Sequence, residues 1–384
     1  MKYLALLILS VILLSGCIET PNQYEQLPPG EWRAILKLSD KTTLSSQSED
    51  LEAEGKLMDY FELPFNFKID FNEEDKMVMH IFNAEESISI SDIEYGRDPA
   101  TAKDTLRIRF NDFDSYIDAF YEENFIEGSW KVPYRGEAYE IPFLAKYGEN
   151  KRFDIRTDAE TYDFSGKWKV EFEFDEESAY SAIAEFKQED NKLTGTFITE
   201  TGDYRFLDGI AYGDKMKLSV FDGAHAFLFS GYATGDTIIG EFRSGNHYKC
   251  NWMATRDDNF KLTDPYSLTA ATASSVNFTF EALNGEEISL SDQRFNEKIK
   301  LVNIMGSWCP NCKDEINFLK EVKKENPDIE IISIAFEKYK DKQKALNVLR
   351  QYKRAMNIDW PLLYGGYADK KAISEQLSFI DTFY

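Results

Sequence analysis

Cysteine and histidine are the scarce residues of this chain, with four and three respectively in 384 positions. A scaffold stapled by disulfides needs more cysteine than that, so size rather than cross-linking must stabilise the fold. Metal chemistry is poorly served as well. A zinc site on a Cys-x-x-Cys needs two more ligands, and Cys250, His80, His225 and His247 show no paired spacing. Positive charge is short too: 44 Lys and Arg face 68 Asp and Glu, a net charge of −24. A nucleic-acid surface needs clustered cations, so nucleic acid is excluded as a partner. No metal or other cofactor is expected.

A chain of this length points to two or three compact units. The abundance of Phe and Tyr, with many Gly-Asp and Asn-Gly turn signals, favours strands over a helical protein. From Ser275 onward there are 17 acidic and 16 basic side chains, leaving 51 acidic and 28 basic before it. The acidity therefore belongs to the first 274 residues, where it reads as a solubility property. At the start, "MKYLALLILSVILLSGC" carries Lys2, an apolar run from Leu4 to Leu14, and Ser15-Gly16-Cys17. The run is too short to span a bilayer comfortably and has the flanks of a secretory signal. "LLSGC" resembles the lipobox of bacterial lipoproteins. That resemblance implies residues 1–17 as a lipoprotein signal peptide, cleavage before Cys17, lipid on that thiol, and a mature protein held on a membrane face in the cell envelope, toward the periplasm or exterior.

After a tether (18–29), Gly30-Glu31-Trp32 opens a strand-like alternation with Trp32, Ala34, Leu36 and Leu38 on one face. Gly166-Lys167-Trp168 opens another, with Trp168, Val170, Phe172 and Phe174 on one face. The later parts of the two segments echo each other, "FIEGSW" against "TIIGEF" and "EIPFLAK" against "KCNWMAT". Two related antiparallel all-β domains, small barrels or sandwiches, are expected over 30–155 and 160–257. The opening and closing motifs of the second loosely resemble calycin-type barrels, which often hold small apolar ligands; a packed spacer or docking module is the other reading. Residues 39–57 are polar and read as a mobile loop or short surface helix, and 258–275 has linker composition.

From Val276 the pattern becomes α/β. "VNFTFEAL", Asn284-Gly285 and "EEISL" read as a hairpin, and "IKLVNIM" as a buried strand running into Cys309-Pro310-Asn311-Cys312. Residues 310–326 fit a helix with Ile316, Leu319 and Val322 on one face; "IEIISIAF" fits a strand and "DKQKALNVLRQYKRAM" a helix. A dithiol at a strand-to-helix turn follows. Cys309 would sit at the helix N-terminus, where unpaired N–H groups favour thiolate. Pro310 suits the first helical position, and Cys312 is near enough to close a disulfide. The expected division of labour has Cys309, the more exposed, as nucleophile and Cys312 as resolving thiol. Cys250 reads as a free core thiol.

The stretch "FTFEALNGEEISLSDQRFNEKIKLVNIMGSWCPNCKDE" resembles the thioredoxin-like domain of TlpA/ResA-type membrane-bound thiol-disulfide oxidoreductases, of the AhpC/TSA-redoxin superfamily. The resemblance covers residues 276–384. It implies a redox-active Cys309–Cys312 disulfide in a motif that includes Trp308 and Pro310. It also implies Asn303 where thioredoxin has a buried aspartate, and Glu315 tuning thiol pKa or moving protons. A proline usual two residues after Glu315 is replaced by Asn317. Expected partners are disulfide-bearing envelope proteins and an upstream membrane electron donor, with reduction favoured over oxidation. Family members continue with a cis-proline strand and two further strands and a helix, whereas "LSFIDTFY" ends this sequence. The C-terminal unit is therefore expected to lack its last strands and helix. Two alternatives stay open: a peroxiredoxin, although the Pro-x-x-x-Thr/Ser frame is absent before Cys309, and an envelope ligand- or protein-binding lipoprotein with a degenerate thioredoxin domain.

Overall fold

The computed structural model describes residues 27–39, 61–154, 160–268, 276–377 and 380. The N-terminal signal with Cys17, nearly all of the 39–57 loop and the end of the 258–275 linker lie outside the described residues. No helix among the described residues is long and apolar enough to cross a membrane.

The first sheet contains β1 (Gly30–Leu38), β2 (Phe61–Phe71), β3 (Met77–Asn83), β4 (Glu86–Ile90), β5 (Ile93–Arg97), β6 (Asp104–Phe110), β7 (Ser115–Glu122), β8 (Phe125–Lys131) and β9 (Glu140–Tyr147). Its order is β4-β3-β2-β1-β9-β8-β7-β6-β5. Ser91 and Asp92 alone join the two edge strands, a step that reaches roughly 11 Å at most. The sheet must therefore curl until its edges approach, although they do not pair. It is a half-barrel.

The second sheet contains β10 (Gly166–Phe172), β11 (Tyr180–Glu189), β12 (Lys192–Thr199), β13 (Gly202–Asp203), β14 (Leu207–Tyr212), β15 (Lys215–Phe221), β16 (Ala226–Thr234), β17 (Thr237–Ser244) and β18 (Tyr248–Arg256). Here β11 pairs with both β10 and β12, which closes eight of the nine strands into a barrel. Side chains fill its interior: Phe197, Phe229 and Phe242 stack at centroid distances of 4.4 Å, with Trp252 and Phe172 against them. The ligand-holding barrel suggested by the calycin resemblance needs a cavity where these rings lie.

The two β units share one device. In each, the first strand pairs with the last, Trp32 opposite Tyr147 and Trp168 opposite Arg256. In each, the tryptophan indole donates to the carbonyl four residues earlier, Trp32 to Pro28 at 3.4 Å and Trp168 to Phe164 at 2.9 Å. The preceding glycine has positive φ, 135° at Gly30 and 106° at Gly166, a conformation costly for any other residue. Trp32, Ala34, Leu36 and Leu38 are all fully buried, as are Trp168, Val170 and Phe172. Phe174 departs from its expected place on that face. The strand stops at Phe172 because Glu173 turns to φ 53° and gives its N–H to the Asn251 carbonyl.

These units are not independent. Phe221, at the end of β15, leaves the barrel and enters the half-barrel core, 4.5 Å from Phe65, 5.1 Å from Trp130 and 5.5 Å from Phe110. Polar groups seal the seam. Buried Arg152 donates to Ser219 Oγ, the Phe82 carbonyl and Asn83 Oδ1, each at 2.9 Å. Asn83 in turn donates to the Phe221 carbonyl at 2.9 Å.

After a short helix α1 (Pro265–Leu268) the third unit contains β19 (Thr279–Ala282), β20 (Glu287–Ser289), β21 (Lys300–Met305), α2 (Pro310–Glu325), β22 (Glu330–Glu337), α3 (Lys342–Ala355), β23 (Leu362–Tyr367) and α4 (Lys370–Gln376). Strand order is β20-β19-β23-β22-β21, with β21, β22 and β23 parallel and β19 antiparallel to β23. It is a thioredoxin-like α/β unit. Alternation along β22 splits the core: Ile331 and Ala335 face Ile316, Leu319 and Leu349 of α2 and α3. Ile332, Ile334 and Phe336 face Phe278, Phe295, Ile373 and Leu377. Val322, expected on the buried face of α2, is half-buried. Among the described residues, nothing pairs with the outer edge of β21.

Phe221→Ala is expected to cost about 3–5 kcal/mol, because the cavity opens in a core that both β units use. Denaturant unfolding followed by tryptophan fluorescence checks it; an unchanged midpoint contradicts the shared core.

Candidate functional site

Strand β21, expected to be buried, is instead the edge of its sheet and buries only Asn303 and Met305; after Met305 the chain has four residues, Gly306 to Cys309, in which to turn into α2. Gly306 is required by space. A Cβ there would lie 2.3 Å from Trp308 Nε1, and that indole donates to the Phe336 carbonyl at 2.9 Å. Cys309 is the N-cap, with extended backbone (φ −110°, ψ 107°), and its sulfur accepts the Cys312 N–H at 3.2 Å. Pro310 takes the first helical position, where a missing N–H costs nothing.

Cys309 and Cys312 are joined as a disulfide, with Cα atoms 5.2 Å apart. Both residues are half-buried. Cys312 packs against the core shared by α2 and α3. The helix end supplies the electrostatics: the N–H that bonds the Cys309 sulfur would favour its thiolate on reduction. Lys338 stands 4.2 Å over the Trp308 ring, one cation beside the turn.

Glu315 and Asn303 also meet here. Asn303, buried on β21, donates from Nδ2 to Glu315 Oε2 at 2.7 Å. Burial raises the Glu315 pKa above the ordinary carboxylate value, with the Asn303 bond working against it. A carboxyl raised in this way can hold or release a proton near the pair.

The sequence reading missed Glu337. It ends β22 fully buried and accepts two bonds from Ser307, from its N–H at 2.9 Å and its hydroxyl at 2.8 Å. Ser307 lies two residues before Cys309, so this carboxyl fixes the turn that presents the sulfur. Burial pushes Glu337 up to about 7, against the Ser307 bonds. The only sequence signal was an acidic residue directly after the run "IISIAF", which is apolar but for Ser333.

Other candidate residues lie elsewhere. Cys250 is a free, half-buried thiol on β18, in a different unit from the dithiol, and burial raises its pKa. Cys17 lies outside the described residues. Among the described residues, no group of three or more His, Cys, Asp and Glu side chains is placed to hold a metal.

Residues 272–379 match the AhpC/TSA family model, so the segment carrying the dithiol is redoxin-like in sequence as well as in strand order. No curated protein matches the chain. Among solved structures, a thiol-disulfide oxidoreductase from Bacteroides fragilis NCTC 9343 is 21% identical; the likeness covers 28% of this chain and 75% of that one, with a TM-score of 0.23. The C-terminal domain of a putative thiol-disulfide oxidoreductase from Bacteroides thetaiotaomicron is 23% identical, over 28% and 73%, TM-score 0.23. A DUF3598-family protein of unknown function from Nostoc punctiforme PCC 73102 is 11% identical, over 59% and 94%, TM-score 0.19. At scores below 0.5 none of the three bears on function.

Glu337 gives a pH signature. Its ordinary value is 4.5 and its folded value about 7, so the folded protein holds this proton more tightly than the unfolded chain. The stability it contributes is full below pH 4.5, falls as pH rises to about 7, and is flat beyond. Glu337→Gln should remove that fall, a difference of up to about 3 kcal/mol. Burial takes His247 down to about 3 from 6.5, which adds an opposite slope that cancels in the difference between variant and parent. Denaturant midpoints across the range check it; parallel profiles contradict it.

Proposed function

We propose that this protein is a membrane-anchored envelope thiol-disulfide oxidoreductase that reduces protein disulfides through Cys309 and Cys312. One observation carries the reading: the first cysteine of the pair caps α2, and the N–H of the second is aimed at its sulfur. The family match over the same segment supports it.

In the reduced protein the Cys309 thiolate attacks one sulfur of a partner disulfide. A mixed disulfide forms and the other partner sulfur leaves as thiolate, to be protonated. Cys312 then loses its proton, attacks the Cys309 sulfur, and releases the second partner thiol. The partner gains two electrons and two protons, and the Cys309–Cys312 disulfide is left. In this reading Glu315 takes the Cys312 proton; its carboxylate accepts the Asn303 amide at 2.7 Å. Return to the dithiol needs an upstream thiol reductant, which in this reading is a membrane electron donor. Lipid on Cys17 would keep the protein at the membrane surface where that donor lies.

Insulin reduction coupled to a thiol reductant tests the chemistry. Cys309→Ser is expected to fall to the uncatalysed rate, and Glu315→Gln to slow exchange by about 10²-fold with a flattened pH profile. Full activity in Cys309→Ser would end the proposal. For the anchor, Cys17→Ser is expected to move the protein from the membrane fraction to the soluble fraction; retention in the membrane contradicts lipidation at that residue.

A further inference from the structure

The dithiol turn does not stand clear of the β units. Arg205, between β13 and β14, is only 6% exposed and gathers groups from all three units. Its Nη2 donates to Glu86 of the half-barrel at 2.7 Å, and its Nε lies 3.6 Å from Asp222 of the barrel. Its Nη1 pairs with Asp314 of α2 and reaches Asn311 Oδ1 at 3.4 Å. Asn311 is inside the Cys-x-x-Cys. Its amide donates back to the Asp203 carbonyl at 3.4 Å, and a Cβ on Gly202 would sit 2.1 Å from Asn311 Nδ2. That glycine has φ 137°, so neither side chain nor ordinary backbone fits between hairpin and turn.

A second set of contacts flanks the first. Lys313 pairs with Asp112 and lies 5.1 Å from the Phe113 ring, Tyr339 bonds to Asp114, and Gln351 donates to Asn111 at 2.9 Å. The turn between β6 and β7 and the hairpin around β13 thus both contact the start of α2, and the first also reaches Tyr339 after β22 and Gln351 of α3. Glu86 and Asp222 belong to the β units, so the guanidinium is already held before the third unit contributes. Only its Nη1 edge is offered to Asp314 and Asn311. A charge held in place in this way makes a directional contact, because little side-chain entropy is lost when the partner arrives.

We infer that the β units dock on the dithiol turn through Arg205 and form a specificity-determining wall, closing the Asn311 side of Cys309 to bulky partners. Small thiols and disulfides on protruding segments reach the sulfur past the wall. Large partners reach it when the third unit undocks. The inference deepens the oxidoreductase reading, but its test needs no turnover.

The test compares two alkylating reagents on the reduced full-length protein, iodoacetamide and a maleimide carrying a polyethylene glycol chain, with reaction at Cys309 read by fragmentation mass spectrometry. Arg205→Ala and Asp314→Lys are each expected to raise the bulky-to-small rate ratio by about tenfold, the shift that losing one charge-assisted contact produces in a docking equilibrium. Asp314→Glu should leave the ratio near that of the parent. Asp314 is 57% exposed, so its replacement leaves the cores of both β units intact and decides the matter even where Arg205→Ala unfolds the barrel. An unchanged ratio in Asp314→Lys overturns the wall. A raised ratio in a protein that reduces no insulin upholds it and removes the proposed function alone.

Discussion

A chain that leaves a parallel strand and enters a helix must satisfy the helix's first N–H groups with whatever side chain stands at the cap. In this protein that side chain is Cys309, and the N–H it satisfies belongs to Cys312. The contact places two sulfurs within bonding reach and directs backbone polarity at the one that would carry charge. Ser, Thr, Asp and Asn are the usual occupants of such a position. A thiol there trades capping strength for reactivity, and neighbouring groups make up the difference in rigidity. Glu337 ties down Ser307, Phe336 holds the Trp308 indole, and Pro310 sets the first helical φ.

Two large β units support this small site. They are fused by Phe221, which belongs to the barrel by sequence and to the half-barrel by packing, and by the buried hydrogen bonds of Arg152. A fused platform can present charge with precision that two tethered beads cannot. Arg205 uses it: one carboxylate comes from each β unit, and the remaining guanidinium edge meets α2. The acidity of the first 274 residues, read from sequence as a solubility property, includes Asp112 and Asp114, which meet the third unit directly.

What was legible in the sequence was local. Alternation at Trp32 to Leu38 and at Trp168 to Phe172 marked strands, and the two Gly-x-Trp openings marked a shared design, because one residue's burial is reported by its neighbours' spacing. The apolar run of β21 and the helical spacing after Pro310 placed the dithiol at a turn. Pairing between distant segments was not legible. Nothing near Trp168 or Arg256 says that β10 and β18 lie side by side in one barrel, while Ile90 and Ile93 end as edges that never join. Strand β23 escaped notice because "LLYGGY" is short and carries two glycines, weak strand formers whose assignment here comes from β22 and β19 on either side. Glu337 and Arg205 escaped for the same reason: their partners lie 30 and 109 residues away in the chain.

The reduction potential of the pair distinguishes a redox centre from a structural cross-link. Equilibration of the Cys309–Cys312 pair with a glutathione or dithiothreitol redox buffer would give a single two-electron couple. A value between about −270 and −120 mV is expected, at the reducing end of that window for a disulfide reductase, whereas a structural disulfide lies below about −300 mV. A potential well below that limit, or a pair that is reduced only when the protein unfolds, would show that the turn at Cys309 holds a cross-link and not a redox centre.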